Sequence, residues 1–195
     1  MSDYTAIAAV SDTLRYVLRQ NITLTSDPQL TGIEVYLLSP REMKDAGNQG
    51  ISVWLYKVSR MAEMLNEPPQ RKVANQLIRT PLPVLLYYLV TPITGDPVSK
   101  HKLLGKVLQV LHDNCILRGS TLQDSLSGTS EQLRVNLEAL SLEELSLVWD
   151  ALNDPYQLSV TYLVQLVKID SDLEPVSSPL VVEKEDNYTQ ILSES

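Results

Sequence analysis

The side chains able to do chemistry are few, and their spacing limits them further. The chain has two histidines, His101 and His112, and one cysteine, Cys115. All three fall on one predicted helix. A rise of about 1.5 Å per residue puts the histidines roughly 16 Å apart, too far to ligate one metal ion. His112 and Cys115 stand at i and i+3 and can both reach an ion. The same pair also reads as a helix end carrying a buried thiol. A Cys–His or Ser–His nucleophile needs its base held beside it, and no local signature provides that. Glu143 and Glu144 fall in the first turn of a predicted helix, where the macrodipole favours negative charge without any acid–base role. The chain carries no phosphate-binding loop, dinucleotide fingerprint, nucleophile elbow, HExxH or CxxC. The expectation is no catalytic residue, no cofactor and no metal.

Charge narrows the partners. The net charge is −8 and the sequence pI about 4.7, so double-stranded DNA and anionic membranes are repelled on average. Neither nucleic acid nor membrane insertion is expected, since no apolar stretch reaches the length of a span. The single cysteine excludes an intrachain disulfide, and the N-terminus lacks a secretory pattern. Both fit folding in the cytoplasm. Against this acidic background Arg71, Lys72 and Arg79 form a basic cluster. It is either a solvated loop or an electrostatic contact to an acidic partner surface. Met61 and Met64 nearby are adaptable contact residues or simple gap fillers. Arg41 and Lys44 fall in another predicted loop.

The elements that must carry these residues are legible from periodicity. Thr5 to Gln20 places Ile7, Val10, Leu14, Val17 and Leu18 on one helical stripe, with Asn21 as terminator. Ile33 to Leu38 and Ile51 to Val58 read as strands, separated by a flexible loop from Pro40 to Gly50. Ser59 to Ile78 reads as a long connection with a helical turn from Met61 to Leu65, and connections of that length are often functional. Between Pro83 and Pro92 the chain is almost wholly apolar, too short for an ordinary helix and rich in Val and Tyr. Val84 to Val90 is therefore a central strand buried on both faces, ended by Pro92. Val98 to Cys115 is a helix in which Gly105 permits close packing. Leu133 to Leu137 is a short strand. Ser141 with Glu144 forms a capping box for a helix whose apolar face is Leu142, Leu145, Val148, Trp149 and Leu152. Leu158 to Ile169 is a long strand. Beyond it the composition turns acidic and Ser/Pro-rich, which predicts a domain over 1–170 and a mobile tail over 171–195. The order implies an α+β (mixed α/β) fold with a single sheet flanked by helices.

An ordered set of segments carries a resemblance. These are AIAAVSDTLRYVLRQ (Ala6 to Gln20), ISVWLYKV (Ile51 to Val58), RTPLPVLLYYLVTPITGD (Arg79 to Asp96), LLGKVLQVLHDNCIL (Leu103 to Leu117) and LSLEELSLVWDALNDPYQLSVTYLVQLVKID (Leu140 to Asp170). Together they resemble the tail-terminator or cap proteins of extracellular contractile injection systems. Those systems are phage-tail-like particles of the antifeeding prophage and Photorhabdus virulence cassette type. The resemblance implies a fold similar to phage tail terminators and a homo-hexameric ring. Such a ring would close the baseplate-distal end of the inner tube and sheath, end polymerisation and stabilise the particle. It implies assembly in the cytoplasm and residence in an extracellular or cell-associated particle. The contact candidates are then Arg41, Lys44, Met61, Met64, Arg71, Lys72 and Arg79, since binding residues concentrate on loops held by a rigid scaffold. The alternative from the residues alone is a non-enzymatic adaptor that binds a partner through its acidic tail or a sheet edge.

Overall fold

The computed structural model describes residues 3–61, 70–73, 76–78, 80–174 and 176–177. Helix α1 (Ala6–Leu18) buries Ala6, Ala9, Val10, Leu14, Val17 and Leu18. It does not stop at Asn21: a π turn, Arg19–Thr23, continues it and buries Ile22. The Asn21 amide donates back to the Val17 carbonyl at 2.8 Å instead of terminating the run.

Strand β1 is only Val35–Tyr36, shorter than the predicted Ile33 to Leu38, because the chain turns at Ser39 into a helix. That helix, α2 (Pro40–Asp45), replaces the predicted loop. Ser39 caps it, Pro40 sits at its first position, and Glu42 reaches back to the Ser39 amide at 2.8 Å. This is the same device as at Ser141. Strand β2 (Gly50–Arg60) follows. The predicted long connection contains two short strands, β3 (Gln70–Val73) and β4 (Gln76–Ile78). Of the predicted turn from Met61 to Leu65, only Met61 is described; it is not helical, and its amide donates to the Pro83 carbonyl at 3.0 Å.

Strand β5 (Leu82–Ile93) is central, paired antiparallel to β2 on one side and to β8 (Val160–Ile169) on the other. Pro92 does not end it. Pairing with β8 extends only to Val90, so further on β5 has, among the described residues, a neighbour on one side alone, where proline is tolerated. Helix α3 (Pro97–Asp113) is capped by Asp96, whose carboxylate accepts from the Ser99 amide at 2.7 Å. Strand β6 (Ile116–Arg118) was not foreseen; β7 (Gln132–Glu138) and α4 (Leu142–Leu152) were. Strand β9 (Val176–Ser177) pairs with β4, so at least this piece of the predicted tail is in a ladder. Residues 178–195 lie outside the described set.

The main sheet has the order β1-β2-β5-β8-β7-β6. A second, three-stranded sheet has the order β3-β4-β9. Each of its strands follows or precedes one of the central strands β2, β5 and β8 in the chain. Helices α1 and α3 cover one face, where Val53, Leu86, Tyr88, Val90, Val135, Tyr162 and Val164 join the helix residues in the larger core. The Tyr88 hydroxyl meets Ser11 Oγ at 2.8 Å, which ties α1 to the central strand; burial pushes its ionisation well above the ordinary tyrosine range. Helix α4 covers the opposite face. There Leu89, Trp149 and Leu152 form a second core with Trp54 and Tyr56 against it. Burial of each such side chain is worth about 1.5–3 kcal/mol, so β5 is held from both sides.

Gly105 is not a close-packing position. No atom stands within 4 Å of where its Cβ would be, and it lies on the exposed side of α3. Gly105→Ala is therefore expected to stabilise the chain by about 0.5–1 kcal/mol, read as a rise in the denaturant midpoint.

The two capping boxes give stability a pH dependence. The Ser39 hydroxyl and amide hold the Glu42 carboxyl below its ordinary value of 4.5, and the Ser141 amide and hydroxyl do the same for Glu144. A depressed carboxyl contributes stability that is present above the ordinary value and is lost as pH falls through the folded one. The unfolding midpoint is expected to drop on acidification below about pH 4.5. Ser39→Ala should cost about 1 kcal/mol at neutral pH and flatten part of that acid limb.

Candidate functional site

The chemistry-bearing residues do not converge. His101 and His112 are exposed along α3. Cys115 is exposed as well, not buried as the sequence suggested. Helix α3 ends at Asp113, so Cys115 sits in the turn to β6, where its carbonyl accepts from the Val135 amide at 2.8 Å. His112 and Cys115 border a cleft of about 520 Å³ whose other walls include Leu108, Leu111, Leu137 and Tyr162. Among the described residues no group of three His, Cys, Asp or Glu side chains is placed to hold a metal ion.

The predicted contact residues separate into four sets. Arg41 and Lys44 are engaged within the chain. Arg41 Nη1 donates to the Leu152 carbonyl at 3.2 Å, and Lys44 pairs with Asp154. Both join α2 to the C-terminal end of α4, where cations complement the helix dipole. Met61 follows β2 and is partly exposed. Arg71 and Lys72 lie in β3 by backbone position. Met64 and Arg79 lie outside the described residues.

The structure adds a surface that sequence reasoning missed. Strand β1 pairs with β2 only at Ile51 and Ser52. Among the described residues, β2 from Val53 to Arg60 has β5 on one side and no strand on the other. Beside this open edge lies an apolar groove of about 300 Å³ lined by Trp54, Tyr56, Lys57, Leu147, Val148 and Ala151. Tyr56 rings against Trp54 and Tyr87 at 6.1 and 6.2 Å. Burial pushes its hydroxyl up to about 12, and the carboxylates of Glu138 and Glu144 add to the effect. Lys57 Nζ lies 4.6 Å above the Tyr87 ring, a cation–π contact that holds its charge at the groove. Leu147 is 63% exposed and Val58 47% exposed, and Arg60 is exposed at the end of the strand. The signal available in advance was the alternation of ISVWLYKV, which carries apolar residues on both faces. What it lacked was the shortness of β1.

An edge, a groove and a set of cations can bind a partner; they offer no nucleophile and no proton relay. The sheath/tube terminator of an extracellular contractile injection system, PVC, solved in the extended state, shares the fold with a TM-score of 0.66 at 20% identity. The match covers 100% of this chain and 67% of that one. The anti-feeding prophage cap, a tube-terminating cap, shares it with a TM-score of 0.59 at 16% identity, covering 91% of this chain and 60% of that one. No curated protein sequence matches. Among the described residues no helix is long and apolar enough to cross a membrane. The family profile described as the Pvc16 N-terminal domain matches residues 9–183, nearly the whole length, and the chain belongs to that family.

Proposed function

We propose that this chain is a structural terminator. It closes the baseplate-distal end of the tube and sheath of a contractile injection system, stops polymerisation and stabilises the particle. It works as a homo-hexameric ring and not as an enzyme, assembling in the cytoplasm before the particle leaves or anchors to the cell. The observation that carries this reading is the fold match to a sheath/tube terminator over the whole chain, together with membership of the Pvc16 N-terminal domain family. The architecture supports it. Strand β5 is fixed from both faces, so the strands and loops around it are held at defined positions, which a capping surface requires. Cyclic closure would leave the ring no free heterologous interface of its own, and that is how a ring ends an assembly.

The test is the native mass of the purified chain with negative-stain images of the same sample. A ring of six 21.8 kDa chains, about 131 kDa, is expected, alone or templated on tubes. A chain that stays at 21.8 kDa even with tube ends present sinks the ring.

The basic cluster Arg71, Lys72 and Arg79 is the contact candidate for an acidic tube or sheath surface. Replacing Arg71, Lys72 and Arg79 together with Glu is expected to weaken end binding about ten- to a hundred-fold, with a steep salt dependence in the parent chain. Unchanged binding and an unchanged salt response would remove these residues from the contact.

A further inference from the structure

We infer that the cleft between the end of α3 and strands β7 and β8 receives Leu173 of a second copy of this chain, with Asp172 and Glu174 of that copy held at its mouth by Lys106 and His112. The inference deepens the ring reading by naming a contact that joins copies, and rests on it to that extent.

The cleft arises where the apolar face of β7 outruns its helical cover. Leu133, Val135 and Leu137 alternate onto one face of the strand. The first two are buried, whereas Leu137 is 57% exposed. Its ladder partner on β8 is Tyr162. These two residues, with Leu108, Leu111 and Val135, wall a space of about 520 Å³. Tyr162 is 3% exposed. Its hydroxyl has no hydrogen-bond partner among the described residues, unlike that of Tyr88, which meets Ser11. A buried hydroxyl without a partner is unfavourable, and an acceptor carried in by an occupant relieves it. The mouth is basic. His112 and Gln109 line it, and Lys106 Nζ donates to Gln109 Oε1 at 3.2 Å, which places the ammonium there. Among the described residues no carboxylate lines the cleft, and neither Lys106 nor His112 has an ion pair.

The chain itself presents a matching segment. Leu173 is 62% exposed and stands between Asp172 and Glu174, which are exposed as well. Its amide donates to Ser171 Oγ at 3.3 Å in a local turn. Neither neighbouring carboxylate has an ion pair among the described residues. An apolar side chain between two carboxylates complements an apolar cleft with a basic rim. The main-chain carbonyls beside Leu173 bring the acceptor that Tyr162 lacks. Leu142 is also exposed and followed by glutamates, but the Glu144 carboxylate is committed to the Ser141 cap.

The exposure of Leu173 shows that a copy does not fill its own cleft. The two features also belong to opposite ends of β8. Tyr162 lies near its start and Leu173 follows its last residue, Ile169; the strand between Tyr162 and Ile169 spans roughly 23 Å at about 3.3 Å per residue. Joining them between copies is a head-to-tail, heterologous contact, the kind that closes into a ring.

Cross-linking in the full chain, with and without tube ends, tests this, because Cys115 lines the cleft and is the only cysteine. The parent chain is mixed with a chain carrying Cys115→Ser and Glu174→Cys, and the mixture is oxidised. A disulfide joining positions 115 and 174 of two copies is expected. A chain carrying Glu174→Cys alone should link between copies, so closure within one copy overturns the inference, as does the absence of any link. A link from Leu142→Cys in place of Glu174→Cys overturns Leu173 as the occupant. Independently, Leu173→Asp and Leu137→Asp change exposed side chains on the two sides of the contact. Each alone should weaken self-association about ten-fold or more with unchanged circular dichroism. Mixing the two restores one intact cleft facing one intact leucine, and a dimer without a ring is expected. If both variants keep a ring of full mass and no link appears, the contact is wrong and the ring reading stands. If the parent forms no ring even on tube ends and no link appears, both are wrong.

Discussion

Trp149→Ala is expected to destabilise the chain by about 3–5 kcal/mol, the cost of removing a large buried aromatic side chain. At this length that corresponds to a fall of roughly 10 °C in Tm. Trp149 is 1% exposed and is the centre of the smaller core, packed with Leu89 of the central strand and Leu152. Its Nε1 donates to Ser159 Oγ at 3.3 Å, and its ring meets Tyr156 edge-on at 6.1 Å. Removing it leaves a cavity, strands the buried Ser159 hydroxyl and loosens α4, which carries the Leu147 wall of the groove. Trp149→Phe keeps most of the packing and should cost about 1–3 kcal/mol. The two variants are compared by urea unfolding. A loss below about 1 kcal/mol for Trp149→Ala would mean that α4 is not anchored through this residue.

Gly50→Ala should be the other severe substitution, costing about 3 kcal/mol or more from backbone strain and overpacking together. Gly50 has φ of 144°. A Cβ there would stand 2.2 Å from the Glu34 carbonyl oxygen and 3.3 Å from Tyr36 Cε2. That carbonyl accepts the Ile51 amide at 2.9 Å at the join of β1 to β2, so the substitution pushes β1 off the sheet. Gly47→Ala is the control: φ is also positive, at 69°, but the space around it is open, so strain alone costs about 1 kcal/mol. Equal midpoints for the two variants would show that close approach to Glu34 is not what fixes Gly50.

The parts of the fold that were legible are those whose burial writes a period into the sequence. The stripe of α1, the leucines of α3 and the continuous apolar run of β5 each announce one buried face or two, and the Ser141–Glu144 box marks where α4 begins. The equivalent box at Ser39–Glu42 is hard to read because α2 buries only Pro40 and Met43 and is followed by Gly47 and Gly50, which suggest a loop. Strands β3 and β4 were missed for a different reason. Gln-Arg-Lys-Val and Gln-Leu-Ile have no apolar alternation, and their state is set by the strands beside them. The same non-locality explains the contact surface. Arg41 and Lys44 look free in the sequence, but their partners, Leu152 and Asp154, are brought to them only by packing α2 against the end of α4. Lys57 looks like an ordinary strand residue and Arg60 like part of a connection, until β2 proves to run to Arg60 and, among the described residues, β1 proves too short to cover the edge on which they lie.

The central claim is that this chain ends a tube. The most direct measurement images purified tubes after incubation with the gold-labelled chain, and scores where label falls and whether tubes still elongate when subunits are added. The account predicts label at one end only, a ring in projection at that end, and arrested growth there. Label along the tube walls or at both ends alike, or continued growth from labelled ends, would contradict it.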